Sequence, residues 1–238
     1  MTYFLAVGAA LAVLLPSSVA CQAPCDSARI RRLPVIERPA LQDTGATLVV
    51  LLTGDGGWAS ADEKVATGLR ARGAAVIGLN MRSYLGDRKT PEQAAEDVGC
   101  IAEFFSGEWH RSRLMLLGYS RGADIAPFVA ARWPETLRAR LNMVALVSPA
   151  SRANFKFHFI DLVRDVERDD DLALGPELMR LRGLQVICIY GTGDKSSGCP
   201  GSDPQLVRSY ARPGGHRLTG GFDAVAELVA AGLSPPRG

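Results

Sequence analysis

The 27 lysines and arginines of this 238-residue chain nearly cancel its 25 aspartates and glutamates, leaving a formal charge of +2. That balance supplies no one-signed field of the kind that gathers nucleic acid, so no nucleic-acid partner is expected. Histidine is scarce, with only His110, His158 and His216 present. Neither His110 nor His158 has neighbouring ligands at metal-binding spacing, so no metal is expected. The apolar run YFLAVGAALAVLL at 3–15 falls short of the roughly 20 residues that span a bilayer comfortably. There is no P-loop lysine and no G-x-G-x-x-G, nothing in the sequence calls for a cofactor, and no repeat, low-complexity linker or composition shift marks a domain boundary. With 47% hydrophobic residues, the length suits one substantial core.

The run at 3–15 ends at Pro16 and is followed by Ser18-Val19-Ala20, small residues where a signal peptidase reads them. Residues 1–20 therefore read as a secretory signal, although the start carries no lysine or arginine, and 21–238 as a single domain. Cleavage after Ala20 would place Cys21 first. A lipoprotein signal also puts cysteine there but takes an aliphatic residue where Ser18 stands, so anchoring at Cys21 is the second reading. Export permits disulfides among Cys21, Cys25, Cys100, Cys188 and Cys199. Cys188 and Cys199 bracket YGTGDKSSG, a loop that must hold its shape if it carries a functional acid, and are expected to pair. The pairing of the other three stays open.

Five short apolar runs closed by Gly, Ser or Asn, namely ATLVVLLTG (46–54), AAVIGLNM (74–81), RLMLLGYS (113–120), NMVALVSPA (142–150) and LQVICIYG (184–191), have the continuous hydrophobicity of strands buried on both faces. Helical periodicity lies between them at Ser60 to Arg72, Ala123 to Trp133 and Phe222 to Ala231. A further helix opens at Thr90-Pro91-Glu92-Gln93 with a capping box and Pro at the first helical position. The alternation predicts βαβ units in a mostly parallel, doubly wound sheet with helices on both faces. Residues 21–45 read as a lead-in, and 151–183 as an excursion over the strand tips.

In LMLLGYSRGAD, Ser120 sits between Gly118 and Gly122 where a strand pattern hands over to a helical one. G-x-S-x-G in that setting is the nucleophile elbow, whose partners follow along the chain as acid and then histidine, on loops after later strands. Asp194 in GTGDKSSG and His216 in RPGGH meet that order. His216 is then the base for Ser120, and Asp194 fixes its tautomer. His110 and His158 read as surface or packing residues. The expected oxyanion donors are the backbone amides of Arg121 and of Asp55 in TGDGGW; a phosphate-cradling role for that loop is disfavoured by the missing lysine. A carboxylate beside a developing oxyanion opposes the chemistry unless it is occupied. Asp55 therefore points away, pairs with Arg121 or Lys195, or faces a cationic substrate group. Asp124 either suits the helix N-terminus or, with Tyr119, contacts substrate. Asp169, Asp170 and Asp171 read as a solvated run.

Taken together, TGDGGW, GYSRGAD, CIYGTGDKSSGC and RPGGH resemble the VirJ/AcvB family of periplasmic, virulence-associated bacterial proteins, in its short, single-domain form. The resemblance implies an α/β-hydrolase fold, a Ser120, Asp194 and His216 triad, and the Cys188–Cys199 pair. Members of the AcvB type hydrolyse lysyl-phosphatidylglycerol, and VirJ is associated with type IV secretion of virulence factors. The acid loop here is less acidic than the family pattern. What the resemblance implies is a periplasmic serine esterase cutting the aminoacyl ester of an aminoacyl-phosphatidylglycerol, a phospholipid headgroup bond reachable at the membrane surface. Phe155, Phe157 and Phe159 alternate on one face of the excursion and read either as core or as a transient membrane contact. Two alternatives are a non-catalytic periplasmic binding protein serving secretion-system proteins, and an esterase for small esters.

Overall fold

In the computed structural model, which describes residues 25–42, 44–163 and 166–233, the five apolar runs become five adjacent parallel strands. The described chain passes through α1 (Ser27–Ile30), β1 (Val35–Arg38), β2 (Thr47–Leu52), α2 (Ser60–Arg70), β3 (Ala75–Leu79), α3 (Met81–Tyr84) and α4 (Pro91–Glu108). It continues through β4 (Arg113–Tyr119), α5 (Arg121–Arg132), α6 (Glu135–Arg138) and β5 (Leu141–Val147). Two short strands, β6 (Arg152–Ala153) and β7 (Leu172–Ala173), lead to α7 (Leu174–Arg180), β8 (Val186–Gly191), β9 (Arg208–Arg212) and α8 (Phe222–Ala230). Residues 1–20, read above as a secretory signal, and Cys21 lie outside the described residues. Among those described, no helix is long and apolar enough to cross a membrane.

The seven-stranded sheet runs β1-β3-β2-β4-β5-β8-β9. Only β1 is antiparallel, pairing Val35 with Leu79 and Arg38 with Val76. Side chains alternate across each strand, so β2 sends Leu48, Val50 and Leu52 into one layer with Ile101, Phe105 and Phe128, and Val49 and Leu51 into the other with Val65, Leu69 and Val229. Helices α4 and α5 cover the first face, and α2 and α8 the second. Both faces are thus sealed, which is why these strands read as unbroken apolar runs. The α4 start forms as its sequence dictates: Gln93 N–H donates to Thr90 Oγ1 at 3.1 Å and Thr90 N–H to Gln93 Oε1 at 2.9 Å.

The edges depart from the sequence reading. The lead-in at 21–45 contains α1 and β1, and β9 forms from RSYAR, whose side chains are exposed or half-buried. An edge strand needs no continuous apolar run, so neither carried that signal. The excursion is organised by its acids: Asp171 accepts from Asn154 Nδ2 at 2.6 Å and from Arg168 N–H at 2.8 Å, and Asp170 pairs with Arg88. The acidic run is thus not merely solvated. Nor do the three phenylalanines share an environment. Phe155 is core, edge-on to Phe128 at 5.3 Å, Phe157 is half-buried, and Phe159 is 74% exposed where a 3₁₀ turn (Phe159–Leu162) breaks the alternation.

Candidate active site

At the carboxyl end of β4 the backbone turns into α5 through Ser120, which takes φ 51° and ψ −119°. A serine in the left-handed region is strained and persists only where its surroundings over-determine it. Here Ser120 N–H donates to Val147 O at 2.8 Å, while Ser120 O accepts from Ala123 and Asp124 N–H. The flanking glycines are required by close approach. A Cβ on Gly118 would stand 2.3 Å from Gly122 O, and one on Gly122 would stand 2.1 Å from Leu52 O. The hydroxyl is thereby projected into the crevice outside the strand ends.

Two later loops deliver its neighbours. His216 Nε2 lies 2.8 Å from Ser120 Oγ, and His216 Nδ1 lies 3.0 Å from Asp194 Oδ2. With Nδ1 donating to the carboxylate, Nε2 is left as the acceptor facing the hydroxyl. The Asp194 side chain is only 3% exposed and its other oxygen accepts from Ser196 N–H and Oγ at 3.2 and 2.8 Å. These bonds keep it aimed at the imidazole. The Cys188–Cys199 disulfide closes the loop that carries it. Ser148, in the left-handed region at φ 50°, donates from Oγ to His216 O at 2.9 Å and so holds the histidine loop by its main chain. Sequence reasoning passed over Ser148, which looks like an ordinary strand terminus.

The amide of Arg121 is the first of α5 and therefore has no carbonyl within the helix. Asp55 follows Gly54 in a turn closed by Gly57 N–H to Gly54 O at 3.0 Å, a bond that does not use the Asp55 amide. Gly54 abuts Ser120, since a Cβ there would stand 3.2 Å from Ser120 Cβ.

Of the three arrangements open to the Asp55 side chain, the structure takes the pair with Arg121. Arg121 Nε lies 3.3 Å from both Asp55 oxygens, its Nη2 lies 2.8 Å from Asp161 Oδ2, and Asp124 stands 4.0 Å away. Asp161, its side chain 2% exposed, also accepts from Arg168 Nη2 at 2.6 Å. Burial works against the Arg121 charge, but Asp124 and Asp55 outweigh it and raise its pKa. Arg121 therefore ties the elbow to the TGDGGW loop and to the excursion. Sequence reasoning passed over Asp161; the signal that could have found it is the arginine fixed beside Ser120, which needs a counter-charge. Asp124 also accepts from Ala150 N–H at 2.7 Å, a structural bond, while lining the cleft. Tyr119 lies between Phe222 and the His216 ring, with centroids 5.5 and 6.2 Å away, and burial raises its pKa. His110 is exposed and His158 half-buried, and neither lines the cleft over Ser120. Among the described residues no cluster could hold a metal.

The cleft over Ser120 and His216 encloses about 320 Å³, and its wall carries the five carboxylates of Asp55, Asp124, Asp161, Glu167 and Asp171 against the three guanidinium groups of Arg121, Arg152 and Arg168. It is formally anionic. Glu167 is the most open of the ion-paired acids there, with its side chain 76% exposed.

Solved structures with the same fold include an esterase domain from Rhodothermus marinus, 13% identical with a TM-score of 0.57 over 83% of this chain and 96% of that one. Est1E from Butyrivibrio proteoclasticus, 12% identical, reaches 0.60 over 83% and 91%. An α/β serine hydrolase without lid from Xanthomonas campestris, 15% identical, reaches 0.55 over 84% and 87%. At these identities the likeness establishes an α/β-hydrolase fold, as the sequence pattern predicts. No curated protein sequence matches the chain. The sequence profile described as bacterial virulence protein (VirJ) matches residues 46–235, an interval holding the elbow, both later loops and the Asp55 turn, and the chain accordingly belongs to the VirJ family.

Proposed function

We propose that this chain is a serine esterase in which Ser120, His216 and Asp194 act as one catalytic unit. The observation that carries the reading is the continuous hydrogen-bonded line from Ser120 Oγ through both imidazole nitrogens to a buried carboxylate. His216 takes the hydroxyl proton as Ser120 attacks an ester carbonyl, and Asp194 stabilises the imidazolium that forms. The amides of Arg121 and Asp55 stabilise the oxyanion. The same histidine protonates the departing alcohol, then activates water to release the acyl group.

For the substrate we propose the aminoacyl ester of an aminoacyl-phosphatidylglycerol, with the lysyl form preferred. The excess of carboxylates in the cleft supports a cationic acyl group, and membership of the VirJ family supports the lipid. The wall beside Ser120 includes Leu162 and Val163; with Phe159 and Ile160 they form an apolar tip, Val163 being 83% exposed. That tip is suited to a transient contact with the bilayer surface, which would bring the headgroup ester to the hydroxyl. The disulfide agrees with export, and we place the protein in the periplasm.

Purified protein should release lysine from vesicles containing lysyl-phosphatidylglycerol and should be labelled at Ser120 by a fluorophosphonate probe. A labelled protein that leaves the lipid intact but cleaves small nitrophenyl esters would remove the lipid from the proposal. A folded protein that neither reacts with the probe nor hydrolyses any ester would remove catalysis, leaving a binding role.

A further inference from the structure

The described residues hold two cysteines outside the Cys188–Cys199 bond, Cys25 ahead of α1 and Cys100 in α4. They are far apart in sequence and adjacent in space. Asp26 caps α1 by accepting from Arg29 N–H at 2.8 Å, and Arg29 then reaches across to α4, its Nη2 2.8 Å from Asp97 Oδ1. Tyr84 Oη donates to the other Asp97 oxygen at 2.9 Å. Asp97 and Cys100 are three positions apart, so both share one face of the helix. The two cysteines stand close enough for each thiol to influence the other and, with Arg29, line a single cleft. That cleft shares no residue with the one over Ser120.

We propose that Cys25 and Cys100 form a second disulfide, which fastens the lead-in carrying α1 and β1 to the body of the sheet. The inference is independent of the hydrolase reading. Burial, then the neighbouring Cys25, pushes the Cys100 thiol up to about 12, so Cys100 is a poor first nucleophile. Cys25 is exposed and Cys100 buried, which sets the order of events. The Cys25 thiolate attacks the disulfide of a dithiol–disulfide exchange oxidant, displacing one of its sulfurs as a thiolate. Cys100, giving its proton to that thiolate, then attacks the Cys25 sulfur and expels the oxidant's second sulfur from the mixed disulfide as a thiolate. The S–S bond of the oxidant is lost and one S–S bond is gained here, with both electrons and both protons leaving on the reduced oxidant. The bond is reached through the exposed partner and, once closed, has a buried sulfur on one side that resists reduction.

The test is a tryptic map, without reductant, of purified protein equilibrated with glutathione disulfide. The peptide ending at Arg29 should be cross-linked to residues 90–111. Because Cys21 shares the first peptide, the link should survive Cys21→Ser and vanish in Cys25→Ser. Closing a loop of about 75 residues should also raise the melting temperature, so oxidised Cys25→Ser should melt roughly 10 °C below oxidised parent and level with it after reduction. Alkylatable thiols at both positions after oxidation, or a link that persists in Cys25→Ser, would overturn the proposal.

Discussion

Asp62 offers a quantitative test of how the chain is packed beside its elbow. It is the third residue of α2 and only 3% exposed. One oxygen accepts from Ala59 N–H at 3.0 Å and the other has no partner among the described residues, facing a wall of Leu51, Val65, Leu117, Val147 and Phe222. Burial raises its pKa from 3.8 to about 6. The folded protein thus holds a proton that the unfolded chain has released between about pH 4 and pH 6. The carboxyl's stabilising contribution is complete below the lower value and disappears as pH rises through the upper one. A shift of about two units corresponds to about 3 kcal/mol. Asp62→Asn keeps the acceptor for Ala59 and presents the same unmet donor as the protonated acid, but it cannot ionise. Urea unfolding should therefore find parent and variant equal within about 0.5 kcal/mol near pH 4, with the variant ahead by about 3 kcal/mol at pH 7.5. An identical difference at both pH values would show that Asp62 ionises without cost and that its surroundings are not dry.

Further outcomes follow from the site. Ser120→Ala should retain the fold and lose turnover on the order of 10⁶-fold if the three residues act as a unit, measured by lysine release or nitrophenyl ester cleavage. Asp194→Asn should lose about 10⁴-fold in kcat because the imidazole is no longer held in the productive tautomer; a loss below tenfold would count against that role. Reducing Cys188–Cys199, which closes a loop 11 residues apart in sequence, should cost about 3 kcal/mol in the chain-entropy picture. Arg121→Met leaves Asp55 and Asp161 without their shared cation and should destabilise by about 3 kcal/mol or more at neutral pH, seen as a lower urea midpoint.

How far each feature could be read from sequence depended on whether its cause was local. The five inner strands are buried on both faces, so Val49 and Val50 are equally apolar and the run declares itself. Thr90 and Gln93 cap α4 through neighbours three residues apart. The elbow was legible because Gly118 and Gly122 answer to close backbone approach around Ser120. By contrast β9 exposes Arg208 and Ser209 and joins the sheet only because β8 offers a free edge, which no pattern inside RSYAR records. Arg121 finds Asp161 across 40 residues, and Ser148 finds His216 across 68. Such pairings depend on the whole topology. The Phe155 to Phe159 alternation misled for a related reason, since its period assumed an extended chain where the backbone coils at Phe159.

The bond from Ser148 to the carbonyl of His216 grips that residue by its backbone and leaves the ring, its side chain 42% exposed, held at Nδ1 by Asp194 and at Nε2 by the Ser120 hydroxyl. In the proposed reaction the Nε2 contact is given up as Ser120 is acylated, and a ring still pinned at its root and at Nδ1 can tilt about that axis while the loop stays still. On the proposed mechanism, handing a proton from attacking hydroxyl to departing alcohol then becomes a small rocking of one side chain, with no larger rearrangement of the fold required.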